Sequence, residues 1–423
     1  MPSQQCRTDF FAMRQSVWIG CIAALLVSTA LLAYLAPADF AHWVLAPATW
    51  ITASCAIFGI SYTVIATLLV RRFFARPVVE TTEFPAVTIV KPLHGAELAL
   101  MQNLVSFCQQ DYPGPIQFLF GVHDSRDTAL DVVRRVRELF PEADMTIVAD
   151  SRLYGPNRKM SNILNMLPEA RHDILVFADS DVAVEADYLR RVIGELHEPD
   201  VGLVTCLYRG QPDSGFWASL SADASNYQFL PGVVLGLALG IARPCFGQTL
   251  ALRRATLEKI GGFAQFVHHL AEDHAIGEAV RMAGEKVVVP AFAVTHACVE
   301  KSASEFVAHE LRWSRTIRTI DPAGHLGSIL THPLAFAGLA MVVSSGAFWA
   351  WTTVAAAVIA RLALKLQMNK ALRHSLAGIA LLPIWDLVLF AVYLLSFFSS
   401  RVVWRGFNFR VGRDGLLIPI IEE

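Results

Sequence analysis

Two long uncharged runs near the start of the chain and two apolar runs near its end bracket a central stretch of ordinary polarity. Val17–Ala36 has no charge over 20 residues and Thr49–Val70 none over 22. Pro333–Ala360 is uncharged for 28 residues, and Leu376–Phe398 holds a single acid, Asp386. Each is long enough to cross a hydrocarbon core of about 30 Å as a helix. From Glu80 to about Gly327 no apolar run approaches that length. The expected plan is an N-terminal membrane anchor of two helices (1–79), a water-facing domain (80–327), and a C-terminal membrane region with two or three segments and a tail (328–423).

Lys and Arg in short flanks set orientation. Arg7 and Arg14 precede the first run, and Arg71, Arg72 and Arg76 follow the second, whereas the loop Pro37–Pro47 has no basic residue. The central domain is therefore expected on the cytoplasmic side, and Arg401, Arg405, Arg410 and Arg413 after the last run agree. The basic cluster Arg361, Lys365, Lys370 and Arg373 disagrees if Pro333–Ala360 crosses once. A break at Ser344-Ser345-Gly346 into two short or re-entrant helices restores the rule, so the count is four or five. A cleaved signal peptide is the other reading of the first run. Its long apolar core and the close second run favour an anchor.

Composition narrows the classes. The chain is 54% hydrophobic and 17% charged, with net charge −2, against the clearly basic balance of a nucleic-acid binder, so no nucleic acid is expected as a partner. Its cysteines (Cys6, Cys21, Cys55, Cys108, Cys206, Cys245 and Cys298) are scattered and form no CxxC pair. That pattern speaks against a disulfide framework or a structural zinc site and fits a reducing compartment.

The central domain alternates strand and helix signals. Strands are expected at Ala86–Val90, Ile116–Val122, Met145–Ala149, Ile174–Ala178 and Val201–Cys206. Helices are expected at Glu97–Gln110, Thr128–Phe140, Lys159–Leu167 and Tyr188–Leu196. This order implies right-handed crossovers, a largely parallel sheet, and ligands beyond the carboxyl ends of the strands. The apolar stretch Leu230–Ala242 is too short to span and reads as a buried helix or as a membrane-surface contact.

Acids gather where that rule points. Asp179-Ser180-Asp181 leaves the strand Ile174–Ala178, either as a solvated loop or as two carboxylates around a divalent ion that bridges phosphates. Asp124 follows the strand ending at Val122, as a turn residue or as a ligand contact, and Asp127 is the better helix cap of the two. Glu272-Asp273 opens a helix ending at Gly284, which serves the helix dipole or supplies a general base. His268, His269 and His274 lie nearby and read as surface histidines before they read as metal ligands. Arg312-Trp313 sits in a basic helical run before the third apolar segment, as a topology signal or as a fixed cation and apolar face for a sugar diphosphate.

Taken together these stretches resemble the ceramide glucosyltransferase-like family, inverting membrane glycosyltransferases with a family-2-like GT-A domain. The resemblance runs from about Lys91 to Ile320. It rests on Lys91-Pro92-Leu93-His94-Gly95, Asp111-Tyr112-Pro113, Asp124, Asn157-Arg158-Lys159-Met160-Ser161-Asn162, Asp179-Ser180-Asp181, Gly261-Gly262-Phe263, Glu272-Asp273 and Arg312-Trp313. It implies an α/β fold, a GT-A (Rossmann-like, nucleotide-diphospho-sugar transferase) domain with flanking transmembrane helices. It also implies a UDP-sugar donor and a membrane-lipid acceptor. Asp124 would contact the uridine part, with Lys91, Lys159 and Asn162 near the donor. Asp179 and Asp181 would hold the diphosphate through Mg2+ or Mn2+, and Asp273 would be the catalytic base.

Arg312-Trp313 ends the family's (Q/R)xxRW signature, from which this chain departs by having His309 at its first position. The segment Trp404-Arg405-Gly406-Phe407-Asn408-Phe409-Arg410 resembles the family's C-terminal motif, with Arg410 as a phosphate contact. Within the family, the two N-terminal spans, the cytoplasmic domain and the bacterial-looking composition are most similar to hopanoid-biosynthesis-associated glycosyltransferases. That implies N-acetylglucosamine transfer to a hopanoid polyol at a bacterial inner membrane, with ceramide or diacylglycerol glucosylation as the alternative. A processive polysaccharide synthase and a non-enzymatic transporter are rivals. Few spans and His309 oppose the first, and Asp386 as the only acid in a span opposes the second.

Overall fold

The computed structural model describes residues 38–79, 81–97, 99–373, 382–398, 401–404, 407–412 and 415–419. The expected first span Val17–Ala36, with Arg7 and Arg14, lies outside the described residues, as do Arg405 and Arg413. The chain divides into two compact units. One comprises the described residues up to Thr67 with His309–Gln367 and those of Ser375–Arg401, and the other comprises those of Leu68–Ala308, Met368–His374 and Val402–Glu423.

The second unit is built on strands β1 (Val87–Pro92), β2 (Ile116–Val122), β3 (Asp144–Ala149), β4 (Ile174–Phe177), β5 (Val182–Ala183), β6 (Val201–Thr205), β7 (Leu207–Pro212), β8 (Leu250–Arg253), β9 (Lys286–Val288) and β10 (Ala293–Cys298). Seven form one sheet in the order β3-β2-β1-β4-β8-β6-β9, and β5-β10-β7 form a smaller one. Every residue of β1 is buried, as expected for a central strand covered on both faces. The helix Ala129–Leu139 buries Ala129, Leu130, Val133 and Val136, one face at helical spacing. Strand residues Val90, Leu119, Leu175 and Leu252 share a core with Met160 and Ile163 of one helix and Ile276 and Val280 of another. Each such side chain contributes about 1.5–3 kcal/mol by leaving water.

The expected strands and helices are present with ends shifted by one to three residues. The sheet is largely parallel, with one strand reversed: β8 runs antiparallel to both β4 and β6. Its first residue, Leu250, pairs with Phe177 and Thr205, so the segment entering β8 lies at the edge where β4 and β6 end. Leu230–Ala238 is a helix with Leu230, Val234 and Leu235 buried, while Leu239 and Ile241 beyond it are exposed.

In the first unit, Thr49–Val70 lies within the helix Ala38–Phe74. The run Pro333–Ala360 does break where expected, into Pro333–Val343 and Phe348–Leu372, with Ser345 and Gly346 between them at φ 53° and 75°. The second piece runs on through Arg361 and Lys365, which are buried helix residues and not loop residues. Among the described residues two helices are long and apolar enough to cross a membrane, or three if the pair Pro322–Thr331 and Pro333–Val343, bent by 58°, forms one span. Leu382–Phe398 is apolar but shorter.

A third sheet is formed by β11 (Arg401–Trp404), β12 (Phe407–Val411) and β13 (Leu417–Pro419), none of which was among the expected strands.

Candidate active site

The loop leaving β4 is fastened by its backbone carbonyls. Lys91 Nζ donates to the Asp179 carbonyl at 2.8 Å, Asn103 Nδ2 to that of Ser180 at 2.9 Å, and the Ala297 amide to that of Asp181 at 3.0 Å. Lys91 itself is wholly buried, with its ammonium 3.7 Å from the centre of the Phe107 ring. Burial lowers its pKa to about 7, against the opposing pull of Asp179 and Asp181.

Lys159 gathers the acids. It lies in the first turn of the helix Arg158–Met166, whose N-cap Asn157 accepts from the Met160 amide. Its Nζ is 2.6 Å from Asp179 Oδ1 and 3.0 Å from Glu272 Oε1. Burial works against the charged ammonium, but the carboxylates of Asp179 and Glu272 outweigh it and hold the Lys159 pKa above its usual value. Asn157 Nδ2 donates to the other oxygen of Glu272 and to the His269 carbonyl, both at 3.0 Å, tying the two segments together.

Asp273 opens the helix Glu272–Met282 and accepts from two backbone amides, His274 at Oδ1 and Gly247 at Oδ2, each at 2.8 Å. Burial, followed by the neighbouring Glu272 charge, raises its carboxyl to about 7 in spite of those amides. Gly247 stands in the middle: a Cβ there would come 2.8 Å from Lys159 Nζ, 3.5 Å from Asp179 Oδ2 and 3.6 Å from Asp273 Oδ2. The strand end, the helix starts and the reversed strand thus bring Asp179, Lys159, Glu272 and Asp273 to one sheet edge.

Asp181 faces His296 on β10, with 3.6 Å between Oδ2 and Nδ1. Burial alone would lower the His296 pKa, and the Asp181 carboxylate raises it instead. Asp179 and Asp181 both reach solvent, with side chains 24% and 38% exposed. Two solvent-reaching carboxylates on one strand exit are the hard oxygen donors that Mg2+ or Mn2+ takes, with water and phosphate oxygens completing the shell. Among the described residues no group of three or more His, Cys, Asp or Glu is placed to hold a metal by itself.

The remaining candidates are placed as follows. Asp124 follows β2 at the same edge, exposed, accepting from the Arg126 amide at 2.9 Å and pairing with its guanidinium at 3.2 Å. Those Arg126 contacts hold its carboxyl below the usual range. Asp127 takes the helix-start amide of Ala129 and that of Gly95. Asn162 is buried and donates to the Gly121 carbonyl at 2.8 Å, bracing the end of β2. Arg312 and Trp313 lie on the helix Ala303–Ile320 and belong to the other compact unit, where the Trp313 ring meets the His309 ring edge-on at 5.1 Å. Arg410 is on β12, with its side chain outside the described residues. The sequence reading did not single out Gly247, Asn103 or His296, and took Asn157 only as part of a motif. A glycine ahead of a short strand was the one available signal for Gly247.

The glycosyl transferase family 21 model matches residues 51–417. Ceramide glucosyltransferase 1 of Caenorhabditis elegans is 26% identical over 221 residues, 52% of this chain and 46% of that protein. A ceramide glucosyltransferase of Candida albicans is 28% identical over 125 residues, 27% of this chain and 23% of that one. The chain therefore spans about half the length, or less, of these curated relatives. Among solved structures, a mannosyltransferase of Pyrobaculum calidifontis in complex with GDP-Man and Mn2+ aligns with TM-score 0.45 and 23% identity over 82% of this chain and 97% of that one. S. aureus TarS residues 1–349, in complex with UDP-GlcNAc, aligns with TM-score 0.37 and 13% identity over 80% of this chain and all of that one.

Proposed function

The chain belongs to glycosyl transferase family 21, and from that premise we propose that it transfers a hexose from a UDP-sugar to a hydroxyl of a membrane lipid, with inversion at the anomeric carbon. The observation that supports this most is Asp273: a half-buried carboxyl raised to about 7 and aimed by two backbone amides, beside the Lys159-bridged acids. A base with a pKa near the working pH combines a useful deprotonated fraction with real proton affinity.

In this reading Asp273 takes the proton of the lipid hydroxyl as that oxygen bonds to the anomeric carbon. The bond from that carbon to the diphosphate oxygen breaks, and UDP leaves with the electron pair. Asp179 and Asp181 are the residues to hold Mg2+ or Mn2+, whose chemistry there is neutralisation of the diphosphate charge. Lys159 holds Asp179 and Glu272 in place and opposes the effect of burial on the Asp179 carboxyl. Asp124 is the uridine contact, after exchanging its Arg126 partner for the donor, with Asn162 and Lys91 fixing the strand ends beneath it. Arg312, Trp313 and Arg410 are further donor contacts, by the family signature alone.

Ceramide and UDP-glucose are the acceptor and donor that the relatives' names support. The hopanoid polyol and UDP-N-acetylglucosamine are supported by the sequence resemblance alone. Arg71 and Arg72, in the last turn of the helix Ala38–Phe74, support a cytoplasmic catalytic side on a bacterial inner membrane.

Purified protein in detergent with Mg2+ or Mn2+ should be offered each donor with ceramide and with bacteriohopanetetrol, and the products read by mass spectrometry. A hexosyl lipid is expected, and the pair that yields it names the branch. Asp273→Asn should lower turnover by about 10²–10⁴-fold while UDP still binds. Near-normal turnover in that variant would remove Asp273 from the base role.

A further inference from the structure

The C-terminal tail is docked on the loop that leads into Glu272 and Asp273. The Leu417 amide donates to the His268 carbonyl at 2.7 Å, and the Leu270 amide donates to the Gly415 carbonyl at 3.0 Å. His269 and Leu416 pair as an antiparallel bridge. The side chains of Leu270, Phe409 and Leu417 close this junction as a small buried apolar cluster. Phe409 comes from β12 and Leu417 from β13, which pair in register, Phe409 with Pro419 and Val411 with Leu417. From the other side, the same loop is held by Asn157, whose amide donates to the Val267 carbonyl at 2.9 Å and whose side chain reaches the His269 carbonyl and Glu272. The loop is thus clamped between the N-cap of the Lys159 helix and a segment nearly 150 residues further along the chain.

We propose that the hairpin β12–β13 is a strap that positions the Glu272–Asp273 pair, with Leu417 as the residue that seats it. The proposal rests on the transferase reading of Asp273. Only two residues separate Leu270 from Asp273, so the bond from Leu270 to Gly415 fixes the approach to the helix start on which the base sits. β12 and β13 belong to a small three-stranded sheet whose Phe409 and Leu417 are buried against Leu270 of the loop. Releasing it leaves Asp179, Asp181 and Lys159, on other elements, in place, loosens the Arg410 contact that β12 carries, and frees the base. Misplacing a reacting group by about 1 Å costs about 10²-fold in rate.

The test uses adjacent residues on opposite faces of β13. Leu417 is buried and Ile418 is half exposed, so the same charge placed at each separates loss of the seat from loss of the strand. In the full-length protein, Leu417→Asp should lower kcat about 10²-fold, with UDP affinity falling no further than in Arg410→Ala, which removes the donor contact that β12 itself carries. Ile418→Asp and Leu417→Ile should behave as the wild type. Hydrogen exchange at the Leu270 amide should accelerate in Leu417→Asp and not in Ile418→Asp.

Unchanged kcat in Leu417→Asp would overturn the strap. So would equal damage from Ile418→Asp, or a loss of UDP affinity beyond that of Arg410→Ala along with kcat, either of which makes the tail a general prop. Exchange at Leu270 reads the strap without any turnover. A wild type that transfers nothing while Leu417→Asp frees that amide would therefore sink the transferase reading and not the docking of the tail.

Discussion

At Asp273 two opposing influences meet: burial with the Glu272 charge favours the protonated carboxyl, and the amides of Gly247 and His274 favour the carboxylate. The balance at about 7 fixes two pH dependences. Turnover should rise with pH and level off above about 7, because only the carboxylate accepts a proton; a profile flat from about pH 5 upward would show a base titrating as an ordinary carboxylate. Stability should run the other way. A carboxyl whose folded pKa is raised contributes stability that is complete below its unfolded value, about 4, and is lost as pH climbs through 7. Wild-type Tm should therefore decline between those limits more steeply than that of Asp273→Asn. Lys159 makes the complementary case. Its ammonium serves Asp179 and Glu272 together, so Lys159→Met leaves two carboxylates facing each other in a buried site. Removing one partner of a fully buried pair costs about 3–5 kcal/mol, and with Asp179 reaching solvent the loss here should fall below that. The deficit should shrink as pH falls and the Asp179 carboxyl, raised by burial, takes up its proton, and a Tm difference independent of pH would show that Lys159 does not hold it ionised.

The elements of the sheet unit were largely legible, because each long strand and amphipathic helix announces itself locally. β1 reads as a β-branched run, Val87-Thr88-Ile89-Val90, and Ala129–Leu139 as a stripe at helical spacing. What escaped was set by tertiary partners. β8 is four residues long, and its reversed direction comes only from pairing with β4 and β6. β12 alternates apolar and polar residues from Phe407 to Val411 but was taken only as part of a family motif, and it and the three-residue β13 gain their order from each other and from the loop at His268–Leu270. The acids at the sheet edge were foreseen by the rule for parallel strands, whereas Gly247, which the reversal of β8 brings among them, was not. A Gly247→Ala side chain would meet Lys159 Nζ, the far end of a flexible side chain, which yields at little cost in stability. Yet that ammonium is what positions Asp179 and Glu272. Gly247→Ala should thus lower kcat by about tenfold or more with Tm nearly unchanged. A large fall in Tm with normal kcat would place the requirement for glycine in folding instead.

Across the whole chain, a unit built on the sheet and a unit of apolar helices follow different rules for polar groups. In the first, ionised side chains sit at a solvent-reaching edge. In the second, Arg361 of the helix Phe348–Leu372 and Asp386 of Leu382–Leu395 are buried against each other at 2.6 Å. The sequence showed Asp386 as a lone acid in an apolar run and Arg361 as part of a basic cluster at odds with a single crossing of the run before it. Only the packing of two helices makes them a pair, and that pairing accounts for Asp386 without any transport path. The pair gives the helices a register, since sliding either by one turn would strand a charge among apolar neighbours. Asp386→Leu or Arg361→Met alone should therefore destabilise the protein by about 3–5 kcal/mol, and the double variant should recover much of that loss, because two apolar side chains of similar volume can replace a buried ion pair at little net cost. Thermal unfolding of the detergent-purified variants measures this directly. Additive losses in the double variant would mean that the two residues act separately and that the register of these helices is set elsewhere.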